Sequence, residues 1–402
     1  MLQGRLTPPL FYIYYMNHFF DKIHGWFNYE SVYKYVVRLF PAHAEFLEVG
    51  VYKGRSTAFL AVEIVNSGKK HELTSVDIFE PSKIMALGGE SYSIDEFCEN
   101  LAHIGDLIFH DIVKAESIEA AKEFDNGTFD FVFIDAGHTY EEVLSDIQAW
   151  LPKMKDGGII SGHDYSANWP GIEKSVKEVF GTDYTVIGNS WMHVVPSTIE
   201  SLSQFNVLCT VLNYEREKYV SGELDKFNVK WHKIQCVLVA ELHKGTVWMA
   251  NAMSFMKAFN YHLESESDKP LLVLEDDIKF LCNPDHLINE AIKELPEDWD
   301  LLYLGANLRD KCTPFSATLD RVSFAWCTHS VAYSQKAIRY ILGNFDPMSG
   351  IPFDEWLRQD KTLNCFITKP MLITQKAGFS YIQNTEVNYE CIFESQSQLT
   401  KW

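Results

Sequence analysis

Basic charge is scarce in this 402-residue chain, where 35 lysines and arginines stand against 55 acids for a formal net charge of −20. A surface of that sign repels a phosphate backbone, so no nucleic acid partner is expected. Cysteine pairing is missing as well. The eight cysteines, at 98, 209, 236, 282, 312, 327, 365 and 391, include no CxxC and no histidines at ligand spacing, which leaves reduced and mostly buried thiols. A membrane-spanning run is also lacking. The opening stretch Pro9-Leu10-Phe11-Tyr12-Ile13-Tyr14-Tyr15-Met16 is too short to cross a bilayer and has neither the basic start nor the small-residue cleavage site of a secretion signal. No transmembrane segment is expected, and the chain reads as cytoplasmic. A membrane-surface role for this aromatic stretch is the alternative to simple packing onto the first domain.

What is present is ample apolar content, 47%, over a length that favours two domains. Phe46-Leu47-Glu48-Val49 reads as a short strand, Gly50 to Gly54 as a loop, and Ala58 to Val65 as a buried helix. The two glycines allow close approach of a ligand, and the free N–H groups at a helix start favour polar or anionic groups. A plain structural turn is the equal alternative. Three further strands follow: Leu73 to Asp77, Phe129 to Asp135, and Gly157 to Tyr165. Polar residues gather at their C-terminal ends, the edge on which open α/β sheets bind ligands, and Asp77 has the position of an acid that accepts hydrogen bonds from a ribose.

Glu48-x-Gly50-x-x-x-Gly54-x-Ser56-Thr57, then Asp77, then Ile134-Asp135-Ala136-Gly137-His138-Thr139-Tyr140-Glu141, then Gly157-Gly158 with Gly162-His163-Asp164-Tyr165, resembles the class I S-adenosylmethionine-dependent methyltransferases. More narrowly it resembles the branch of macrocin-type sugar O-methyltransferases, over residues 30 to 195. The resemblance implies a Rossmann-like sheet closed by an antiparallel hairpin. It also implies S-adenosylmethionine bound by Glu48, Gly50, Gly54, Ser56, Thr57 and Asp77, with a methyl acceptor near Asp135 and His163-Asp164. Some relatives hold a divalent ion here. Asp135 and Asp164 match two of those ligands while His163 replaces an acid, so methyl transfer with or without a metal stays open. His138 and His163, which titrate near neutrality, are the candidate bases, with ordinary loop histidines as the alternative.

The rest of the first domain, residues 1–196, is read as scaffold. Apolar spacing over residues 11 to 40 predicts helices that cover the first strand. Pro81 to Ser93, with Gly88-Gly89, predicts a mobile loop over the site. Thr139 to Glu142 predicts a capping box, Pro170 to Phe180 a helix, and Tyr184–Ile187 with Trp191–Val195 a closing hairpin. The boundary is expected in the serine-bearing stretch Pro196 to Gln204.

The second domain, residues 205–402, opens with a strand from Phe205 to Leu212 and a charged helix from Tyr214 to about Lys226. Its sharpest feature is Leu271-Leu272-Val273-Leu274-Glu275-Asp276-Asp277, a buried-strand pattern that ends in three acids. Three adjacent carboxylates repel one another. They suit a cation with oxygen ligands, Mg or Mn, although a solvated turn is the general alternative. Alternation along an extended chain would turn Glu275 and Asp277 to one side and Asp276 to the other.

These acids lie between Cys236 to Trp248 and Trp299 to Gly305, and Val331-Ala332-Tyr333, Pro352-Phe353-Asp354 and Pro370 to Gln375 follow in turn. Together they resemble the glycosyltransferase family of lipooligosaccharide and collagen hydroxylysine galactosyltransferases. The resemblance implies a GT-A fold, a UDP-sugar donor bound through a divalent ion at Glu275, Asp276 and Asp277, a glycan acceptor, and inversion. It departs at Leu242-His243, where the family often has serine-histidine. Asp354 is the candidate base and Glu355 the fallback; Asn213 and Arg216 could contact the nucleotide, against a plain surface arginine. The overall expectation is an α/β protein that both transfers and methylates sugars. The alternative is that only one half is catalytic and the other binds ligands or scaffolds.

Overall fold

The computed structural model describes residues 15–80, 90–242, 246–308, 310–323, 325–380 and 385–387. Most of the opening apolar run, most of the expected loop over the site, and His243 lie outside the described residues. The chain forms two compact units, Met1–Lys153 and Met154–Trp402. Each contains its own layered α/β packing.

The first sheet comprises β1 (Glu45–Val49), β2 (Glu72–Asp77), β3 (His110–Lys114), β4 (Phe129–Ile134), β5 (Met154–Gly162), β6 (Thr185–Ile187) and β7 (Ser190–Val194). Its order is β3-β2-β1-β4-β5-β7-β6. Strands β1, β2 and β3 run parallel, as do β1 and β4, whereas β7 runs antiparallel to both β5 and β6. The order is Rossmann-like, and β6 and β7 form the closing hairpin expected at Tyr184–Ile187 and Trp191–Val195. Phe46, Leu47, Phe131, Val132 and Phe133 are fully buried, as residues of both faces must be when helices cover a parallel sheet.

Those helices include Glu30–Leu39, Arg55–Ser67 and Tyr140–Trp150. The last opens with the capping box read from the sequence, Thr139 and Glu142 each satisfying the other's backbone N–H. The helical reading of residues 11 to 40 holds only in part. Among the described residues before Glu30 there is one 3-10 turn, Phe20–Lys22, and then an irregular passage through Gly25, whose φ of 149° no helix tolerates.

The second sheet comprises β8 (Asn206–Val211), β9 (His232–Gln235), β10 (Leu271–Glu275), β12 (Leu301–Leu308), β13 (Thr313–Pro314), β14 (Leu319–Arg321), β15 (Ala325–Tyr333) and β16 (Cys365–Thr368). β11 (Ile278–Phe280) and β17 (Ile373–Gln375) form a separate two-stranded ladder. The order β13-β14-β16-β12-β15-β10-β8-β9 is mixed: β8 runs parallel to β9 and β10, and β12 to β16, while β15 runs antiparallel between β12 and β10. Leu208, Val273, Leu301 and Val331 pack with Phe255 and Phe259 of the helix Val247–Glu264 and with Phe353. Gly305 has a specific reason to be glycine. A Cβ there would lie 1.8 Å from the carbonyl oxygen of Ile373, so only hydrogen lets β17 approach β12.

Candidate functional site

The turn after β1 is shaped by its two glycines. Gly50 sits at φ 85° and donates to the Val76 carbonyl at 2.8 Å; a Cβ on it would fall 2.1 Å from the carbonyl oxygen of Asp135. Gly54 sits at φ 87°, and its Cβ would press on the Phe97 ring at 3.0 Å. Gly54 is also the N-cap of the helix Arg55–Ser67 and lacks a side chain to cap it. The turn is therefore tight, close to β4, and aimed by backbone rather than side chains.

Under this turn lies a buried polar cluster. Glu48 is completely buried; it accepts from the Tyr33 hydroxyl at 2.7 Å and the Thr57 hydroxyl at 2.6 Å, and Ser56 also hydrogen-bonds it. Burial pushes its carboxyl up to about 7. Three of the residues expected to touch a cofactor, Glu48, Ser56 and Thr57, are thus bonded to one another and hold β1 to the following helix.

Asp77 ends β2 with every acceptor position engaged. One carboxylate oxygen takes the N–H groups of Val51 at 2.9 Å and Tyr52 at 3.0 Å; the other takes the Phe79 N–H and the Tyr92 hydroxyl, both at 2.7 Å. A carboxylate has room for about four such bonds, so a ribose hydroxyl would have to replace the one neutral, side-chain donor, Tyr92. Burial and the neighbouring Asp77 push the Tyr92 phenol up, so it remains a donor. Tyr92 was hidden in the sequence because it lies in a stretch that reads only as loop.

On the same edge, Asp135 donates its N–H to the Val49 carbonyl at 2.7 Å and accepts from the Tyr29 hydroxyl at 2.9 Å. Asp135, His138 and Asp164 each offer a ligand atom within 4.8 Å of the others. His163 lies beside that group, its Nδ1 3.4 Å from Asp164 Oδ1, so His138 takes the place that the sequence suggested for His163. Among the described residues a second group, His43, Glu45 and Glu72, lies at the opposite strand ends, with His43 Nε2 3.1 Å from Glu72.

The acids after β10 have a different environment. The strand ends at Glu275, and the next two residues form a turn, so the expected alternation of side chains does not continue. Asp276 accepts from the Leu212 N–H at 2.6 Å, and Asp277 from Gln375 at 3.2 Å. Arg216 Nη1 reaches both, at 3.4 Å from Asp276 and 2.9 Å from Asp277. Burial, then Asp277, Asp276 and Asp354, push the Glu275 carboxyl up to about 8; burial pushes Asp276 up to about 6. The three acids do not form one of the compact donor groups found among the described residues.

The remaining candidates of this half can also be placed. Asn213 caps the helix Tyr214–Asp225 by accepting the Arg216 N–H at 3.0 Å. Asp354 accepts from the Cys327 N–H at 3.3 Å and the Glu355 N–H at 2.9 Å. Glu355, the fallback base, is paired with Arg358 and Gln359, which hold its carboxyl down to about 2. At that value it is a poor proton acceptor.

Residues 47–165 match the family model described as a methyltransferase domain. An uncharacterized protein of Sinorhizobium fredii (strain NBRC 101917 / NGR234) is 20% identical over 147 residues, which are 37% of this chain and 16% of that protein. The chain therefore spans a small part of that curated relative. Among solved structures, the O-methyltransferase NovP is 16% identical and covers 41% of this chain and 78% of its own, with TM-score 0.33. CalS11, a TDP-rhamnose 3′-O-methyltransferase of calicheamicin biosynthesis, is 16% identical, covers 41% and 76%, and has TM-score 0.29. The O-methyltransferase from Bacillus cereus in complex with SAH is 18% identical, covers 41% and 80%, and has TM-score 0.30. Among the described residues no helix is long and apolar enough to cross a membrane.

Proposed function

We propose that the first sheet binds S-adenosylmethionine at the Gly50–Gly54 turn and directs its methyl group to a hydroxyl of a sugar-type acceptor. The observation that carries this reading is the approach of Gly50 to the Asp135 carbonyl. It brings a glycine turn suited to a cofactor against the strand end that bears proton-accepting groups, inside a stretch that matches a methyltransferase domain. Asp77 takes the cofactor ribose once Tyr92 gives way. His138 would accept the proton of the acceptor hydroxyl, and S-adenosylmethionine, when bound, would supply the methyl group from its sulfonium. His163 steadies Asp164. A divalent ion, where one binds, suits Asp135, His138 and Asp164, and would then replace His138 as the group that eases loss of the hydroxyl proton.

Calorimetry with S-adenosylmethionine tests the cofactor site: Asp77→Ala should weaken binding by about 1–3 kcal/mol through the loss of a charged acceptor. Unchanged affinity removes the assignment. Transfer of labelled methyl to free and nucleotide-linked sugars tests the acceptor class.

For residues 205–402 the reading is a GT-A-type transfer from a UDP-sugar, with Asp354 as base and Arg216 facing the diphosphate charge. The run Glu275 to Asp277 does not offer a ready donor set for Mn or Mg, so no step is assigned to such an ion. One observation favours a ligand-binding module instead. Both oxygens of Asp354 already accept backbone N–H groups, so neither is left without a partner to receive an acceptor's proton. Hydrolysis of UDP-sugars with and without Mn separates the two: turnover lost in Asp354→Asn supports transfer, and binding without turnover supports the module.

A further inference from the structure

We infer that the exposed face of Trp26 is the platform on which the methyl acceptor rests, and that its ligand is a neutral pyranose ring. The inference rests on the methyltransferase reading and adds the place and chemistry of acceptor binding. It starts from Tyr52, the residue between the two glycines of the turn. Its backbone sits at φ 48° and is clamped by the N–H bond to Asp77, and its hydroxyl both donates to the Glu90 carbonyl at 3.3 Å and accepts the Glu90 N–H at 3.1 Å. That ring is fixed at both ends. Trp26 stacks on it, with ring centroids 5.8 Å apart and planes 27° from parallel.

The loop carrying Trp26 is built to make this contact. Gly25 brings its backbone so near that a Cβ there would touch Tyr52 Cδ1 at 3.4 Å, and Arg55 Nη1 holds the Ile23 carbonyl at 2.9 Å. Yet Trp26 remains 64% exposed. An indole is the side chain with the most apolar surface to gain from burial, and here one face is immobilised while the other meets water. Such a surface has already lost its conformational freedom, so a ligand that covers it gives up less entropy on binding.

The surroundings narrow the ligand. His24 lies edge-on, 6.3 Å from the indole, with its Nδ1 3.8 Å from the Glu90 carboxylate, and both side chains are more than half exposed. An aromatic face beside an imidazole and a carboxylate matches a ring with an apolar C–H side and hydroxyls at its rim. Glu90 is paired with Lys53 at 3.1 Å, so that cation is not free to attract an anion, and the acidic net charge disfavours one. The location also fits, since Tyr29, only three residues on, hydrogen-bonds Asp135. Three residues span at most about 11 Å of backbone, so Trp26 and the tyrosine that reaches Asp135 sit on one short passage.

Saturation-transfer NMR with methyl β-D-glucopyranoside, methyl α-L-rhamnopyranoside and catechol, on the whole chain loaded with S-adenosylmethionine, tests the proposal. The parent should saturate C–H protons of one glycoside face, Trp26→Ala should weaken glycoside binding about tenfold or more, and Trp26→Phe should recover most of it. S-adenosylmethionine affinity by calorimetry should stay within about twofold in both variants, because the two sites share no side chain beyond Tyr52. Equal glycoside binding in Trp26→Ala overturns the platform while leaving the methyltransferase reading intact if labelled methyl still reaches the glycoside. Catechol bound in place of the glycosides overturns the ligand class. A parent that binds no S-adenosylmethionine defeats the underlying reading, and loss of the cofactor in Trp26→Ala alone makes the indole structural and overturns the platform.

Discussion

At the end of β2 a single carboxylate meets three backbone N–H groups and a hydroxyl, whereas at the end of β10 two of three consecutive carboxylates share one guanidinium. Neutral dipoles fix Asp77 without adding charge, so its geometry is set by the backbone and should vary little with salt. The second cluster is held differently. Burial, with repulsion from the neighbouring carboxylates behind it, pushes Glu275 up to about 8 and Asp276 up to about 6, and Arg216 lowers Asp276 only in part. One strand end is preorganised by hydrogen bonds, and the other stores charge that a proton or a cationic partner relieves.

The contrast can be broken most sharply through the glycines that shape each sheet. Gly50→Ala drives a Cβ to 2.1 Å from Asp135 O, and Gly305→Ala drives one to 1.8 Å from Ile373 O. Each should cost more than about 3 kcal/mol, because backbone faces backbone and nothing flexible can yield. Gly68→Ala, with nothing within 4 Å of its Cβ but a φ of 68°, should cost about 1 kcal/mol. Denaturant unfolding gives the ranking; near-equal costs for the three would mean that both close approaches relax freely.

Next in size is Arg216→Met, which leaves Asp276 and Asp277 without their guanidinium. The arginine side chain is 22% exposed, so the loss should be about 1–3 kcal/mol, below that of a fully buried pair. Urea midpoints at low and high salt measure it. A penalty that shrinks as salt rises fits a charge cluster, and an absent penalty removes Arg216 from that role.

The pH response sharpens the comparison further. Glu275 has a folded value near 8 against an ordinary 4.5, so between those values the folded state keeps a proton that the unfolded state has lost. Stability contributed by this group is therefore complete below about 4.5 and declines as pH rises to about 8. Glu275→Gln cannot ionise, so its melting temperature should gain on the parent as pH goes from about 5 to about 9. Glu48→Gln should show the same trend, ending near pH 7. Parallel melting curves across that range would place both carboxyls in ordinary, solvated surroundings.

The smallest effect concerns the hydroxyl that the ribose would displace. Tyr92→Phe removes a bond that cofactor binding must break, and should tighten S-adenosylmethionine by about 1 kcal/mol, a fewfold change in calorimetric affinity. Weaker binding would put the Tyr92 hydroxyl on the cofactor rather than in its place.

Much of the scaffold could be read from the chain. Phe46–Val49, Phe129–Ile134 and Leu271–Glu275 are apolar runs of strand length, and Thr139 with Glu142 marks a helix start through contacts only three residues apart. Even the closing hairpin was visible, within a residue at each end. The N-terminal passage before Glu30 was misread as helix because its aromatic residues follow an apolar spacing that Gly25 interrupts. Expecting Asp276 to turn away from Asp277 failed because it prolonged the strand past Glu275.

By itself, then, the sequence determined which segments alternate between strand and helix, where the glycine turns fall, and which strand ends carry acids, since each depends on neighbours within a few positions. Which donors those acids would meet was decided only by the tertiary structure. Tyr29 reaches Asp135 across 106 residues, Arg216 reaches Asp276 across 60, and Tyr92 closes on Asp77 from a stretch without periodicity. Local patterning places a carboxylate at an edge; its proton affinity, its free acceptor positions and its access to a ligand depend on what the rest of the fold brings within 3 Å or so of it.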